Sequence, residues 1–197
     1  MVVYTSDHGS HFKTRNGEYK RSPHDGSVRV PLVVEGPGYR GGTRVGVPVS
    51  TVDVVPTVLD AAGIELPAHL DGVPLRERTS SDGVLIQVSE SEVGRALRTD
   101  RWKYYVHAPE VGDAPAADHY VERALYDLTA DPYELDNRID SAGHQEISAV
   151  LRDALTAEIA RIERRDVTIE PYPDVRDRGR FPETTVRRLK LDGRRLE

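Results

Sequence analysis

Hydrophobic positions in this chain follow two rhythms, and the rhythm changes near residue 80. Residues 2–5 (VVYT) are a short β-branched and aromatic run with both alternating faces apolar or nearly so. That pattern predicts a buried strand. Residues 6–29 are polar, contain glycine and proline and carry no period, so they read as a long loop of the kind that often holds function. A second strand follows around residues 30–34, with Pro31 at its start or on an edge, closed by a Gly-Pro-Gly turn. Residues 50–63 predict a helix. Ser50 or Thr51 caps it, and Asp53 sits in the first turn near the positive end of the dipole. Val55, Val58, Leu59 and Ala62 share one face, and Gly63 is placed to end the helix as the C′ residue. Strand, loop, strand, helix is an α/β pattern.

From Asp82 onward the runs GVLIQVS, RALRTD, RWKYYVHAP and RALYDL alternate with turns and no helices intervene. They predict an antiparallel sheet. Residues 144–166 are the clearest helix: Ile147, Val150, Leu151, Ala154, Leu155, Ile159 and Ile162 recur at three and four residues. Its apolar stripe should pack on the small sheet. Beyond residue 167, Pro171, Pro173 and Pro182 interrupt any period, and an extended arm, docked or disordered, is expected. The reading is thus an α/β piece over residues 1–80, an α+β piece over 81–167 and a tail over 168–197.

Composition narrows the function classes. Hydrophobic residues at 38% and charged residues at 30% suit a folded chain with a polar surface. The net charge of −6 gives no overall nucleic-acid footprint, and the late basic run VRRLKLDGRR reads as a solvated end. The chain has no cysteine, which excludes disulfides, thiolate metal sites and a cysteine nucleophile. It also fits a cytoplasmic location, taken here as the default expectation. No stretch approaches the roughly 18 apolar residues of a membrane span. MVVYTSDHG lacks the basic start and long apolar run of a signal peptide.

The chemistry concentrates after the first strand. In open α/β sheets ligands bind past the carboxyl ends of strands, and SDHG places Asp7 and His8 there. The carboxylate suits a hard cation such as calcium or magnesium, and the imidazole suits it less well. A plain Asp-Gly turn explains the same residues without a metal. Lys20 on the following loop offers a compact positive charge for sulfate or phosphate, and His24 an imidazole able to donate to a substrate oxygen or leaving group. A surface lysine and a solvated histidine are the bland alternative. His11, Lys13 and Arg15 stand as further anion contacts or as exposed residues. GPGYRGG follows a strand as a turn and opens no helix, so it is no phosphate loop. Trp102, Tyr104 and Tyr105 have strand spacing and read as core and sheet face, while turn chemistry accounts for the carboxylates of YDLTADPYELDN.

Taken in order, VVYTSDHG, NGEYKRSPHDGSVRVPLVVEGPG and VSTVDVVPTVLDAAGIELPAHLDGVPL, then RWKYYVH and LYDLTADPYELDN before a helix, resemble the sulfatase family of the alkaline-phosphatase superfamily. The resemblance covers roughly residues 1–165. It implies part of an alkaline-phosphatase-like α/β sandwich, followed by a small C-terminal α+β subdomain with an antiparallel sheet and one long helix. It implies hydrolysis of sulfate esters by a formylglycine nucleophile, made from the Cys or Ser of a Cys/Ser-x-Pro-x-Arg motif and activated by a divalent metal, usually calcium. In those terms Asp7 and His8 match metal-ligand positions, and Lys20 matches the lysine that contacts sulfate. His24 falls where many members have the tyrosine of a Tyr-Glu pair. The chain has no cysteine and no Ser-x-Pro-x-Arg sequence, so the resemblance implies a C-terminal fragment, inactive by itself. Its implied partners are a sulfated small molecule or glycan and the polypeptide that carries the missing motif, with no nucleic acid and no membrane. The alternatives are a non-catalytic remnant that binds anions and a related phosphoesterase or phosphonate hydrolase.

Overall fold

A computed structural model describes residues 1–39, 42–78, 83–112 and 114–177. The chain opens with β1 (Val2–Thr5), a long loop, one helical turn α1 (Asp25–Val28) and β2 (Leu32–Glu35). A 3-10 turn at Thr51–Asp53 leads into α2 (Val54–Ala61), and a second 3-10 turn spans Leu75–Glu77. The strands β3 (Val84–Val88), β4 (Gly94–Arg98), β5 (Trp102–His107) and β6 (His119–Asp127) follow, then α3 (Gln145–Glu163) and β7 (Thr168–Glu170). β1 and β2 pair antiparallel as a two-stranded sheet. The other five strands form one sheet in chain order, antiparallel from β3 to β6 and parallel between β6 and β7.

The second sheet is the structural anchor, because it is covered on both faces. Alternation along β5 sends Trp102, Tyr104 and Val106 to the face where Leu151, Leu155 and Ile159 of α3 pack. Tyr105 emerges on the opposite face with Ala96, Ala124 and Tyr126. That opposite face meets the long N-terminal loop, as the ion pair of Lys103 with Asp25 shows. The Tyr104 hydroxyl is used. Tyr104 donates to the buried Glu122 carboxylate at 2.9 Å, and burial together with that carboxylate pushes its phenol well above the usual range. Tyr104→Phe should therefore destabilise by about 1–3 kcal/mol, because the carboxylate loses a donor it cannot replace with water. Urea denaturation checks this, and a loss below the error of the midpoint would contradict it.

Three expectations need correction. β1 is a strand but not a buried one: Val2 and Tyr4 are 65% and 66% exposed, since among the described residues only β2 flanks it. On α2 the buried side chains are Pro56 and Thr57, while Val55 and Val58 face outward at 54% and 44% exposure. The reason is polar: the Thr57 hydroxyl donates to the Asp53 carbonyl at 2.6 Å and accepts the Leu75 amide at 2.9 Å, which turns that side inward. On α3, Val150 lies outside the stripe at 48% exposure. The segment after residue 167 starts extended and docked, as strand β7 paired with β6, with Ile169 buried in the main core. Other expectations hold. Ser50 caps the helix entry, with Asp53 completing a capping box, and Gly63 takes positive φ of 71° just past the end of α2. The boundary near residue 80 and residues 178–197, including the basic run, lie outside the described residues.

Candidate functional site

The loop after β1 builds its geometry from short-range hydrogen bonds. The Ser6 hydroxyl donates to the His8 carbonyl at 2.9 Å, and the His8 amide donates to the Asp7 carboxylate at 2.9 Å. That amide is the main reason the Asp7 carboxyl is held below its usual pKa, although its side chain is 84% exposed. The His8 ring places Nδ1 2.7 Å from the Gly9 carbonyl. A carbonyl only accepts, so Nδ1 carries the proton and Nε2 presents its lone pair. Nε2 lies 3.1 Å from the Lys20 ammonium, which donates to it, and 3.5 Å from the Asp7 carboxylate. Among the described residues no carboxylate pairs with Lys20. Its ammonium also stands 5.8 Å from the Tyr19 ring.

Asp7, His8 and Lys20 therefore converge on one broad cleft, whose wall also includes Arg21, Ser22 and Asp25. Arg21 is committed to Glu18 and Glu90. The loop itself is held from behind. The Gly9 amide donates to the Ser27 carbonyl at 2.8 Å, and a Cβ on Gly9 would stand 2.2 Å from the Gly26 carbonyl oxygen. Only glycine allows that approach, so the strand exit and the α1 turn are pressed together.

His24 goes elsewhere. It is not among the residues lining the cleft. Its Nδ1 lies 3.0 Å from the Ser22 hydroxyl and its Nε2 3.4 Å from the Tyr126 hydroxyl, with the two rings 5.6 Å apart. Burial, then the positive charges of Arg15 and Lys103, pull its pKa down from 6.5 to about 3, so it is neutral at physiological pH. Arg15 is likewise not an anion contact: its guanidinium donates to the carbonyls of Glu134, at 2.6 Å, and Tyr133. His11 is buried rather than exposed, and Lys13 is exposed.

Sequence reasoning passed over Lys103, Asp25 and Glu134. Lys103 is fully buried on β5 and ion-paired with both carboxylates. The signal was a lysine set among tryptophan and tyrosines in a strand otherwise apolar, because a buried ammonium demands a buried partner.

Asp7 and His8 fit two places in a cation's coordination shell, since their Oδ2 and Nε2 converge, once the Nε2 lone pair is released by the Lys20 ammonium. They do not make a whole one. Calcium takes about 6–8 oxygens, and no group of three or more metal-binding side chains occurs among the described residues.

The model of the sulfatase family matches residues 1–64. Arylsulfatase K of Rattus norvegicus is 36% identical over 153 residues, covering 70% of this chain and 26% of that protein. A solved 2-O GAG sulfatase superposes with a TM-score of 0.66 at 28% identity, over 82% of this chain and 36% of the other. The phosphonate monoester hydrolase of Agrobacterium radiobacter superposes with 0.65 at 26% identity, over 82% and 35%. The chain thus spans about a quarter of the length of the curated relatives it matches. The family match includes the residues that bring Asp7, His8 and Lys20 together, and the relatives in sequence and the sulfatase fold agree with it, so this chain belongs to the sulfatase family.

Proposed function

We propose that this chain supplies one wall of a sulfate-ester hydrolase site, with Lys20 gripping the tetrahedral anion beside a cation held partly by Asp7 and His8. The observation that carries the reading is the convergence of the His8 Nε2 on the Lys20 ammonium at 3.1 Å and the Asp7 carboxylate at 3.5 Å, in a cleft of a sulfatase-family chain. An ammonium without a carboxylate partner keeps its charge available for an oxyanion. Calcium, or magnesium, when bound would offset the negative charge of the ester and polarise it toward attack. His8 is oriented for that position by the Gly9 carbonyl, which fixes which ring nitrogen faces the cleft. His24, neutral and packed on Tyr126, supports the loop from behind rather than protonating a leaving group.

The nucleophile is a different matter. With no cysteine and no Ser-x-Pro-x-Arg sequence in the 197 residues, the formylglycine is assigned to a separate stretch of polypeptide. The exposed apolar side chains of Val2, Tyr4 and Val33 on the β1–β2 sheet give that polypeptide a surface to cover. Binding an anion without a nucleophile gives no turnover. The purified chain with calcium should therefore leave 4-nitrophenyl sulfate intact. Co-expression with a formylglycine-bearing sulfatase segment should restore hydrolysis, and Lys20→Ala should then lower kcat/KM by about 10²–10³-fold, as for loss of one charged oxyanion contact. Equal activity of Lys20→Ala and wild type in that complemented state would end the reading. Likeness to a phosphonate monoester hydrolase favours a second substrate class. Turnover of a phosphonate monoester above the sulfate ester of the same alcohol, in the complemented protein, would select it.

A further inference from the structure

We propose that Lys103 is a positioning residue: its buried ammonium, set between Asp25 and Glu134, locks the α1 turn and through it the His8–Lys20 pair. The inference rests on the anion site proposed above. Lys103 is fully buried and lies 2.8 Å from the Glu134 carboxylate, with the Asp25 carboxylate on its other side. The clamp is closed by backbone as well. The Asp25 amide donates to Glu134 Oε2 at 2.7 Å, and the Arg15 guanidinium donates to the Glu134 carbonyl at 2.6 Å. Glu134 is held at a positive φ of 56°, unusual for a residue with a side chain. Arg98 adds a second cation 3.4 Å from Asp25. Desolvation raises the Asp25 pKa, but Lys103 and Arg98 outweigh it and keep the carboxyl below its ordinary value.

From Asp25 the path to the cleft is short. Ser27, in the same turn, accepts the Gly9 amide at 2.8 Å. Gly9 is also the carbonyl that orients His8, and His8 accepts from Lys20. A charge on the five-stranded sheet thereby sets the angle of an anion contact on the loop after β1, through the hydrogen bonds just named. Glu134 and Lys103 come from segments far apart in sequence, and both meet Asp25 at the head of one four-residue turn. A buried ion pair adds little net stability against an apolar replacement, and its best-attested use is to specify one arrangement.

The test is amide hydrogen exchange by NMR on the chain with a titration of sodium sulfate. Lys103→Met should speed exchange at the Gly9 and Asp25 amides by about a hundredfold, the scale of an opened buried ion pair. Exchange in the β4–β6 ladder should stay near wild type, and sulfate affinity should fall by roughly tenfold, the loss of one oriented charge contact. Lys103→Arg should recover most of both. If Lys103→Met fails to fold, the charge-removed variant D25N/K103M/E134Q carries the same expectation without stranded carboxylates. Unchanged Gly9 exchange in a folded variant overturns the proposal. So does equal acceleration at every amide, which would mark a structural role alone. Should wild type show no sulfate binding while Gly9 still responds to Lys103→Met, the clamp stands and the anion reading falls.

Discussion

Acidification from pH 7 to pH 4 is expected to remove about 3 kcal/mol of stability through His24 alone. The folded pKa of about 3 lies below the ordinary 6.5 because burial and the nearby Arg15 and Lys103 charges oppose a second cation. Between those two values the unfolded chain binds a proton that the folded chain refuses. Stability is therefore complete above 6.5 and falls steadily as pH drops toward 3, at about 1.4 kcal/mol per pH unit. Two other histidines act in the same direction, since burial lowers the pKa of both His107 and His144. Asp25 enters later. Its carboxyl is held below 3.8, so the stability from its pairing with Lys103 is present above 3.8 and lost only as pH falls through the lower folded value. The contribution of His24 is isolated by His24→Phe, which keeps an aromatic ring against Tyr126 and removes the titration. Urea denaturation at pH 7 and pH 4 should show a smaller loss for the variant by about 3 kcal/mol. Equal losses in the two proteins would show that His24 is protonated freely in the fold.

The elements most legible in the sequence are those whose pattern is dictated by a two-sided core. β3 to β6 fall where the strand-like runs place them, because Tyr104 and Tyr105 must go to opposite faces and each face has a cover. The stripe of α3 is legible for the same reason, through Leu151, Leu155 and Ile159. β7 was not, because three residues amid prolines carry too little pattern, and its strand state depends on pairing with β6. The face of α2 was misread because hydrophobicity was followed where hydrogen bonding decides. Val55 and Val58 are apolar yet exposed, and Thr57 is polar yet fully buried.

At the site the local part was legible and the long-range part was not. Asp7, His8 and Lys20 meet because they share one loop with a strand exit at its start. His24 sits in the same loop, yet its partner Tyr126 is over a hundred residues away in the chain. Lys103, Asp25 and Glu134 form one cluster from three distant segments, and no window of sequence contains it. Electrostatics of this kind becomes visible only when the sheet brings the segments together.

Asp53→Ala is expected to cost about 3–5 kcal/mol, the range for breaking a buried ion pair from one side. Asp53 is wholly buried and its carboxylate accepts from the Ser50 amide at 2.9 Å, the Val73 amide at 3.0 Å, and Arg78 Nε and Nη2 at 3.0 and 2.9 Å. These four donors belong to the helix entry, the loop beyond α2 and the segment after the second 3-10 turn. Alanine leaves two amides and a guanidinium facing a void. Arg78 is 22% exposed in its side chain and reaches some water, which moderates the loss toward the lower end of that range. Arg78→Met should cost a comparable amount, because it strands the carboxylate instead. The double variant D53A/R78M should then cost less than the sum of the two single losses, since neither charge is left alone. Chemical denaturation supplies the three values, and hydrogen exchange across residues 54–61 locates the loss. Strictly additive losses would mean that Asp53 acts through the backbone amides and not through the ion pair. A cost for Asp53→Ala below about 1 kcal/mol would show that this carboxylate behaves as a surface group and that α2 is held in place by other contacts.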